Sequence, residues 1–318
     1  MCCVQLIGRQ RPDACSLLTM TEITASRQTS QLPHPLAGFA LGLTGVIIFS
    51  ATLPFTHIAL DGFSPLFITF ARALVAAMIA GVALLVLRKR FPRKHLIPLA
   101  IAGLLLAYGF PLFSSIAMQT VPASHGGVVL GILPLMTAAS AAIIGGERPG
   151  PAFWAWSSLG AFLVLSFSLS GADIEPAIGD LWLACAAISA ACGYAISGKL
   201  SRTLPGWEVI SWALIIIAPI SLIGTLASWS SGVQSPDSAA LAAFAYLALG
   251  SMFLGFVFWN KGLAIGGIAR IGQVQLFQSF FTIALSAVLL GEQITWVPVA
   301  FASAVAFVVW CGRKTRIG

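Results

Sequence analysis

The chain alternates between long apolar runs and short breaks that are rich in polar residues, glycine and proline. A helix needs about 20 mainly apolar residues to cross a bilayer. By that criterion the sequence predicts an all-α integral membrane protein with ten transmembrane helices, at residues 36–56, 64–87, 95–117, 123–145, 151–170, 179–198, 207–229, 239–260, 267–290 and 294–312. The breaks are short, so no soluble domain is expected between the helices.

The composition supports the same class of protein. Hydrophobic residues make up 58% of the chain and charged residues only 8%, against roughly 25% charged residues in ordinary soluble domains. So few charges cannot cover a water-soluble surface, and the bilayer must be the solvent. The net charge of +7 does not indicate a nucleic-acid partner, because the basic residues lie at the ends of apolar runs rather than in one patch.

The charge distribution also predicts an orientation. If the N-terminus lies in the cytoplasm, 16 of the 17 Lys and Arg residues fall on the cytoplasmic side, and the opposite loops carry acids such as Asp61, Asp237 and Glu292. The positive-inside rule then places both termini in the cytoplasm, which requires an even number of helices. Residues 1–35 are predicted to form a polar cytoplasmic tail. Its first part is either disordered or an over-extended gene start, with Met20 as the alternative start.

Two copies of one pattern lie about 145 residues apart. A Gly-Glu pair ends the fourth apolar run at residues 146–147 and the ninth at residues 291–292. Residues 108–110 and 254–256 share a Gly-Phe pair at a similar offset. We interpret the pattern as a duplication with halves at 36–170 and 178–312. Five crossings are an odd number, so the second half enters from the other side, as in many alternating-access transporters.

At these residues the chain resembles the EamA group of the drug/metabolite transporter superfamily. The resemblance rests on residues 49–54 at the end of helix 1, the stretch 65–72, the two Gly-Glu pairs and Pro134 in helix 4. It spans residues 36–312 and implies two inverted five-helix EamA repeats. It also implies an inner-membrane exporter or exchanger of metabolites, amino acids or drugs. Ser279 replaces a common family proline in helix 9, so the second half is expected to be less kinked.

Arg72 is the basic residue that the orientation leaves unexplained. It lies eight residues into helix 2, about 12 Å along the helix axis. A charge near the bilayer centre costs about 2.5–3.5 kcal/mol on insertion scales, so the side chain should face the protein interior or a wet cavity. It either binds an anionic substrate group, such as a carboxylate, or pairs with helix-end carbonyls or Asp61 to stabilise the fold. The sequence leaves both interpretations open.

Helix 9 presents a polar face made by Gln275, Gln278 and Thr282. Amides are costly in lipid, so this face is expected to look inward, either lining a substrate path or joining helices. We favour lining, because the repeat-related face of helix 4 contains Leu130 and Leu133 and needs no polar partner.

Four further residues are candidates for substrate binding: Trp259 and Asn260 in helix 8, and Ser114 and Gln119 in helix 3. Packing is the competing interpretation for each. For Asn260 we favour a bond to a neighbouring helix, and serine hydroxyls often bond to the backbone of their own helix. The pairs Gly38–Gly42 and Gly262–Gly266 match a small-residue packing motif and are interpreted as packing.

Proton coupling needs a titrating group, and no carboxylate falls clearly inside a predicted span. His57 and His125, near the outer ends of helices, are the remaining candidates, because the unperturbed pKa of histidine is about 6.5. A facilitator or an exchanger fits the scarcity of acids equally well.

The sequence contains no HExxH, Walker A, GxSxG or GxGxxG motif, so neither enzymatic activity nor a cofactor or metal site is expected. It predicts a secondary transporter that exchanges or exports small molecules by alternating access. One alternative is a membrane-embedded enzyme, which would need clustered His, Asp or Glu. Another is a receptor or flippase subunit without flux of its own. The expected partners are a small-molecule substrate and the lipid bilayer, and a homodimer stays open.

Overall fold

The computed structural model describes residues 35–145, 150–169, 178–293 and 295–313. These ranges are built from helices and contain no β-strand; one isolated antiparallel bridge joins Phe63 and Val233. The predicted all-α fold is therefore confirmed. Residues 1–34, with the predicted tail and Met20, lie outside the described part of the chain.

In chain order the helices are α1 (Leu36–Ala59), α2 (Pro65–Val86), α3 (Arg93–Ala117), α4 (Ala123–Ile144), α5 (Pro151–Leu169), α6 (Ile178–Leu200), α7 (Gly206–Gly232), α8 (Ser238–Gly266), α9 (Ile268–Gly272 and Leu276–Leu290, joined at Gln273–Gln275) and α10 (Trp296–Arg313). Within the described ranges seven of them, α1–α4 and α6–α8, are long and apolar enough to cross a membrane. Leu276–Leu290 and Trp296–Val308 are shorter apolar helices. The structure thus fits a multi-pass membrane protein but does not establish the predicted count of ten crossings.

Local sequence chemistry sets the starts of two long helices. Ser64 precedes α2, and its side-chain oxygen accepts a hydrogen bond from the Phe67 backbone N–H at 3.3 Å. Pro65 occupies the first helical position, where a missing N–H costs nothing. Asp237 caps α8 in the same way, accepting from the Ala240 N–H at 2.7 Å. Both starts coincide with breaks in the apolar pattern.

Irregular turns recur at matching places in the two halves. A π-helical segment interrupts α3 at Leu104–Gly109, and another interrupts α8 at Tyr246–Leu254. A 3₁₀ turn interrupts α4 at Leu130–Ile132, and another interrupts α9 at Gln273–Gln275. In each half the third helix therefore carries the π segment and the fourth carries the 3₁₀ turn. This agreement extends the sequence duplication to backbone geometry.

The helices α4 and α9 differ in proline content but share an irregular turn, so the lower kinking expected of the second half stays a prediction. Pro134 lies just after the 3₁₀ turn of α4, whereas Ser279 lies at the matching place in α9. The turn forms in both helices, because a 3₁₀ turn keeps the backbone hydrogen-bonded at a shorter spacing without a proline.

Contacts between the halves also occur in matching pairs. The second helices of the halves, α2 and α7, pack on each other, as do the fourth helices, α4 and α9. The first helix of each half packs on the third helix of the other, giving α1 with α8 and α6 with α3. Exchanging the two halves therefore leaves these four pairings unchanged.

The contact between α1 and α8 runs through the two predicted glycine motifs. A Cβ atom added to Gly262 would lie 2.8 Å from the backbone nitrogen of Gly42 and 3.1 Å from the carbonyl oxygen of Gly38. A Cβ atom on Gly38 would lie 3.0 Å from the backbone nitrogen of Gly266. The four glycines let two backbones approach as closely as such motifs do in membrane helices.

Loop contacts join segments that the charge pattern assigns to the same side of the membrane. At one end, Lys89 after α2 forms a salt bridge of 2.8 Å with Glu208 at the start of α7. At the other end, the Ser64 N–H before α2 donates to the Gly232 carbonyl at the end of α7, at 2.8 Å. We refer to the first as the basic end and to the second as the acidic end.

Candidate functional site

A small cavity lies at the centre of the helix bundle, between α1, α2, α3, α6, α8 and α9. It is lined by Phe49, Thr52, Arg72, Leu106, Phe110, Tyr194, Ser251, Phe256 and Gln278. The first half supplies five of these residues and the second half four. The centre of a water molecule can occupy only about 10 Å³ of the cavity, roughly the room for one water. The structure therefore shows the site in a closed form.

Arg72 supplies the only charge among the lining residues, and its side chain is only 1% exposed. Its Nη2 atom donates to the Ser251 hydroxyl at 3.0 Å, and that hydroxyl is also hydrogen-bonded to the Thr52 hydroxyl at 2.8 Å. Within the described ranges its Nε and Nη1 atoms have no hydrogen-bond partner, and no acidic side chain pairs with it. The structural alternative, a pair with Asp61 or helix-end carbonyls, is absent there. The guanidinium thus keeps unused donors at the cavity.

Aromatic rings form one wall of the cavity. The ring centroids of Phe49 and Phe256 lie 4.9 Å apart, and Tyr194 lies 6.1 Å from Phe256. Trp259 is fully buried behind this wall, 5.4 Å from Tyr194 and 6.3 Å from Phe49. It supports the lining rings without lining the cavity itself. The wall offers an apolar surface next to a cation, a combination that suits an amphipathic substrate.

The polar face of α9 is buried, and its members make different contacts. Gln278 lines the cavity, and its Oε1 atom has no hydrogen-bond partner in the described part of the chain. Gln275 lies outside the lining, where its Oε1 atom is 3.4 Å from the Thr137 hydroxyl. Thr282 donates to the Ser50 carbonyl at 2.9 Å. Gln278 therefore lines the cavity, whereas Gln275 and Thr282 contact neighbouring helices.

Three other predicted candidates lie away from the cavity lining. Asn260 is buried and donates to the Gly206 carbonyl at 3.2 Å, which joins α8 to the start of α7. The Ser114 hydroxyl donates to the Pro111 carbonyl of its own helix at 3.2 Å. Gln119 is exposed just after the end of α3. The contacts of Asn260 and Ser114 correspond to the packing interpretation.

The two candidate histidines lie towards the acidic end rather than at the cavity. His57 is half-buried near the end of α1. His125, in the first turn of α4, is 2.8 Å from a carboxylate oxygen of Asp180 on α6, and its ring packs on Phe167 at 4.7 Å. The Glu292 carboxylate accepts hydrogen bonds from the backbone N–H groups of residues 123 and 124, at 2.9 and 3.0 Å. The first turn of α4 is therefore held by two acids from the second half.

Sequence reasoning missed most of the aromatic wall and the polar partners of Arg72. Thr52 lies within residues 49–54, the stretch that contributes to the family resemblance, so that stretch was a usable signal. Tyr194 is one of only three tyrosines. No sequence pattern indicated Ser251, because it lies inside the π segment of α8, where the regular helical spacing of side chains is interrupted. The π segment of α3 likewise supplies Leu106, so both irregular segments border the cavity.

Comparison with known proteins agrees with the resemblance seen in the sequence. The model of the EamA-like transporter family matches residues 36–169 and again residues 177–311. YdeK, an uncharacterized transporter of Bacillus subtilis, is 42% identical over 283 residues, which cover 87% of this chain and 97% of that protein. A probable amino-acid metabolite efflux pump of Salmonella typhimurium is 27% identical over 272 residues, covering 82% and 89% of the two chains. A solved crystal structure shares the fold with a TM-score of 0.58 at 21% identity, covering 86% of this chain and 96% of that one.

Two repeats of apolar helices around a central polar cavity are typical of a membrane transporter. The chain belongs to the EamA-like transporter family and contains two EamA repeats. The resemblance seen in the sequence is thus confirmed, and the protein is a transporter rather than an enzyme.

Proposed function

We propose that this protein is a secondary transporter that exports amino acids or similar carboxylate-bearing metabolites by alternating access. The observation that carries the proposal is Arg72, a buried guanidinium with unused donors and no acidic partner in the described residues. A buried charge left uncompensated is costly. A substrate carboxylate entering the cavity would supply the missing partner and could bind the planar guanidinium through two hydrogen bonds.

The remaining lining residues suit the rest of an amino acid. The side-chain carbonyl oxygen of Gln278, which no described residue contacts by a hydrogen bond, could accept one from an ammonium group. The wall of Phe49, Tyr194 and Phe256 offers an apolar surface for a side chain, so amino acids with large apolar or aromatic side chains are the preferred class. The Salmonella relative described as a probable amino-acid metabolite efflux pump supports this substrate class.

The arrangement of the repeats supports the proposal of alternating access. We propose ten crossings, two inverted repeats, and a position in the cytoplasmic membrane with both termini in the cytoplasm. The matching contacts of the halves and the pairing of loops at each end support this topology. A closed cavity bordered by both repeats can open to either side when one repeat rocks against the other.

Reconstituted liposomes test the proposal with a panel of labelled amino acids and, for each, its amide as competitor. We expect saturable flux for at least one amino acid, weak competition by its amide, and a loss of flux of at least about thirtyfold in Arg72→Ala. Removing one partner of a buried charge pair costs about 2–5 kcal/mol, which accounts for the size of the loss.

Arg202→Ala is the matched control, because Arg202 is exposed and lies away from the cavity. It should keep wild-type flux, and both variants should elute and unfold like the wild type. Wild-type flux in Arg72→Ala, or equal competition by acid and amide, would refute carboxylate binding. Absence of saturable flux for every amino acid would refute the substrate class.

A further inference from the structure

A second and larger cavity lies at the basic end of the bundle, between α3, α4 and α6. Its volume is about 380 Å³, within the usual range for small-molecule sites. The walls are apolar and include Ile101, Ile144 and Ile196. The rim carries His95, Lys199 and Thr203. None of these residues lines the central cavity, so this is a separate site.

The rim of this cavity is suited to an anion. The Lys199 Nζ atom donates to the Ile144 carbonyl at 3.2 Å, which uses one of its three N–H donors. Arg93 and Lys94 directly precede His95 and are exposed. Of the acids that the structure describes, only Glu208 lies at this end, and it is already paired with Lys89. Among the described residues, this rim is therefore positively charged beside apolar walls.

The position of the cavity indicates that its ligand comes from the bilayer. Ile101 is 42% exposed on α3, and Ile97, one turn earlier on the same helix, is 70% exposed. Exposed isoleucines on a membrane-spanning helix face lipid. A ligand reaching the apolar walls from this side would be an acyl chain, whose charged head group would meet the basic rim.

We propose that this cavity binds one acidic phospholipid, with an acyl chain between α3, α4 and α6 and its phosphate at Lys199 and His95. The first repeat supplies α3 and α4, and the second supplies α6. A bound lipid would therefore contact both repeats at the end where they must separate during transport. This site is independent of the substrate proposed for the central cavity.

Thermal unfolding of the purified protein in detergent tests the proposal with phosphatidylglycerol, phosphatidylcholine and inorganic phosphate as separate additions. A ligand that binds the folded state raises the unfolding temperature by mass action. We expect phosphatidylglycerol to raise it by several degrees more than phosphatidylcholine, with phosphate alone having no effect. Native mass spectrometry should show one phosphatidylglycerol retained per chain.

Two variants should remove most of this shift: Lys199→Gln, which removes the rim charge, and Ile101→Trp, which fills the cavity. Lys261→Gln and Ile97→Trp are matched controls, because both residues are exposed and lie outside the lining. The controls should keep the full shift. Equal shifts for the two lipids, an equal shift with inorganic phosphate, or unchanged shifts in Lys199→Gln would each overturn the proposal. Lys199→Gln is a mild exposed substitution, so the test holds even if Ile101→Trp does not fold.

Discussion

Arg72 shows how one side chain can define a site. Its position in α2 places a guanidinium in the protein interior, where, among the described residues, only the hydrogen bond to Ser251 uses its donors. The sequence could identify this residue, because a charge inside an apolar run is conspicuous. It could not choose between a structural ion pair and a ligand site, because that choice depends on which side chains other helices bring within reach. Thr52 and Ser251 are such side chains, 199 positions apart.

Gln278 and Gln275 offer a test of substrate contact within one helix. Both are buried, but only Gln278 lines the cavity. Hydrogen bonds to charged groups contribute about 1.5–3 kcal/mol. We therefore expect Gln278→Leu to raise the KM for the transported amino acid roughly tenfold or more. Gln275→Leu, the control, should change KM by less than about twofold. Initial rates in liposomes measure both, and equal changes in KM would contradict a role for Gln278 in binding.

Some features of the helices can be predicted from the sequence, and others cannot. Starts at Ser64 and Asp237 follow from capping chemistry and were visible as breaks in the apolar pattern. The π segments were not visible. A Cβ atom on Gly193 of α6 would lie 2.4 Å from Leu106, so the π segment of α3 packs closely against a distant helix. A π turn also shifts the following side chains around the axis, which is why helical periodicity did not identify Ser251.

The glycine contact between α1 and α8 gives a prediction about stability. Gly262→Ala would place a methyl group against the backbone of Gly42, which cannot move aside as a side chain can. Overpacking of this kind costs about 1–3 kcal/mol, so we expect the unfolding temperature in detergent to fall by several degrees. Gly272→Ala is the control, because its added methyl group would meet Thr137 at an ordinary 3.5 Å. An equal fall in both variants would show that the α1–α8 contact is not unusually tight.

At the scale of the whole molecule, the duplication accounts for the position of the site. Matching π segments lie on α3 and α8, matching 3₁₀ turns lie on α4 and α9, and helices from both halves enclose the cavity. The sequence revealed the duplication through short matches such as the two Gly-Glu pairs. It could not show which side of the bundle is closed, because closure depends on contacts between the halves. At the acidic end these contacts are hydrogen bonds, by which Glu292 and Asp180 of the second half hold the first turn of α4.

These contacts predict a gate at the acidic end. Glu292 caps a helix of the other repeat, whereas Asp237 caps its own helix, so the two carboxylates form a matched pair for substitution. Loss of a helix cap costs about 0.5–2 kcal/mol, but only the loss of Glu292 removes a link between the repeats. We therefore expect Glu292→Ala to open the central cavity towards the acidic end more often.

A cysteine at Thr52, a residue that lines the central cavity, reports on this opening in a background without other cysteines. A membrane-impermeant maleimide added at the acidic end should label Thr52→Cys roughly three- to tenfold faster when Glu292→Ala is also present. Asp237→Ala should leave the labelling rate unchanged, because it loosens the start of α8 without breaking a link between the repeats. If Asp237→Ala accelerated labelling as much as Glu292→Ala, general loosening of helix ends would explain the effect. If neither did, the acidic end would be closed by apolar packing of the repeats rather than by the carboxylates.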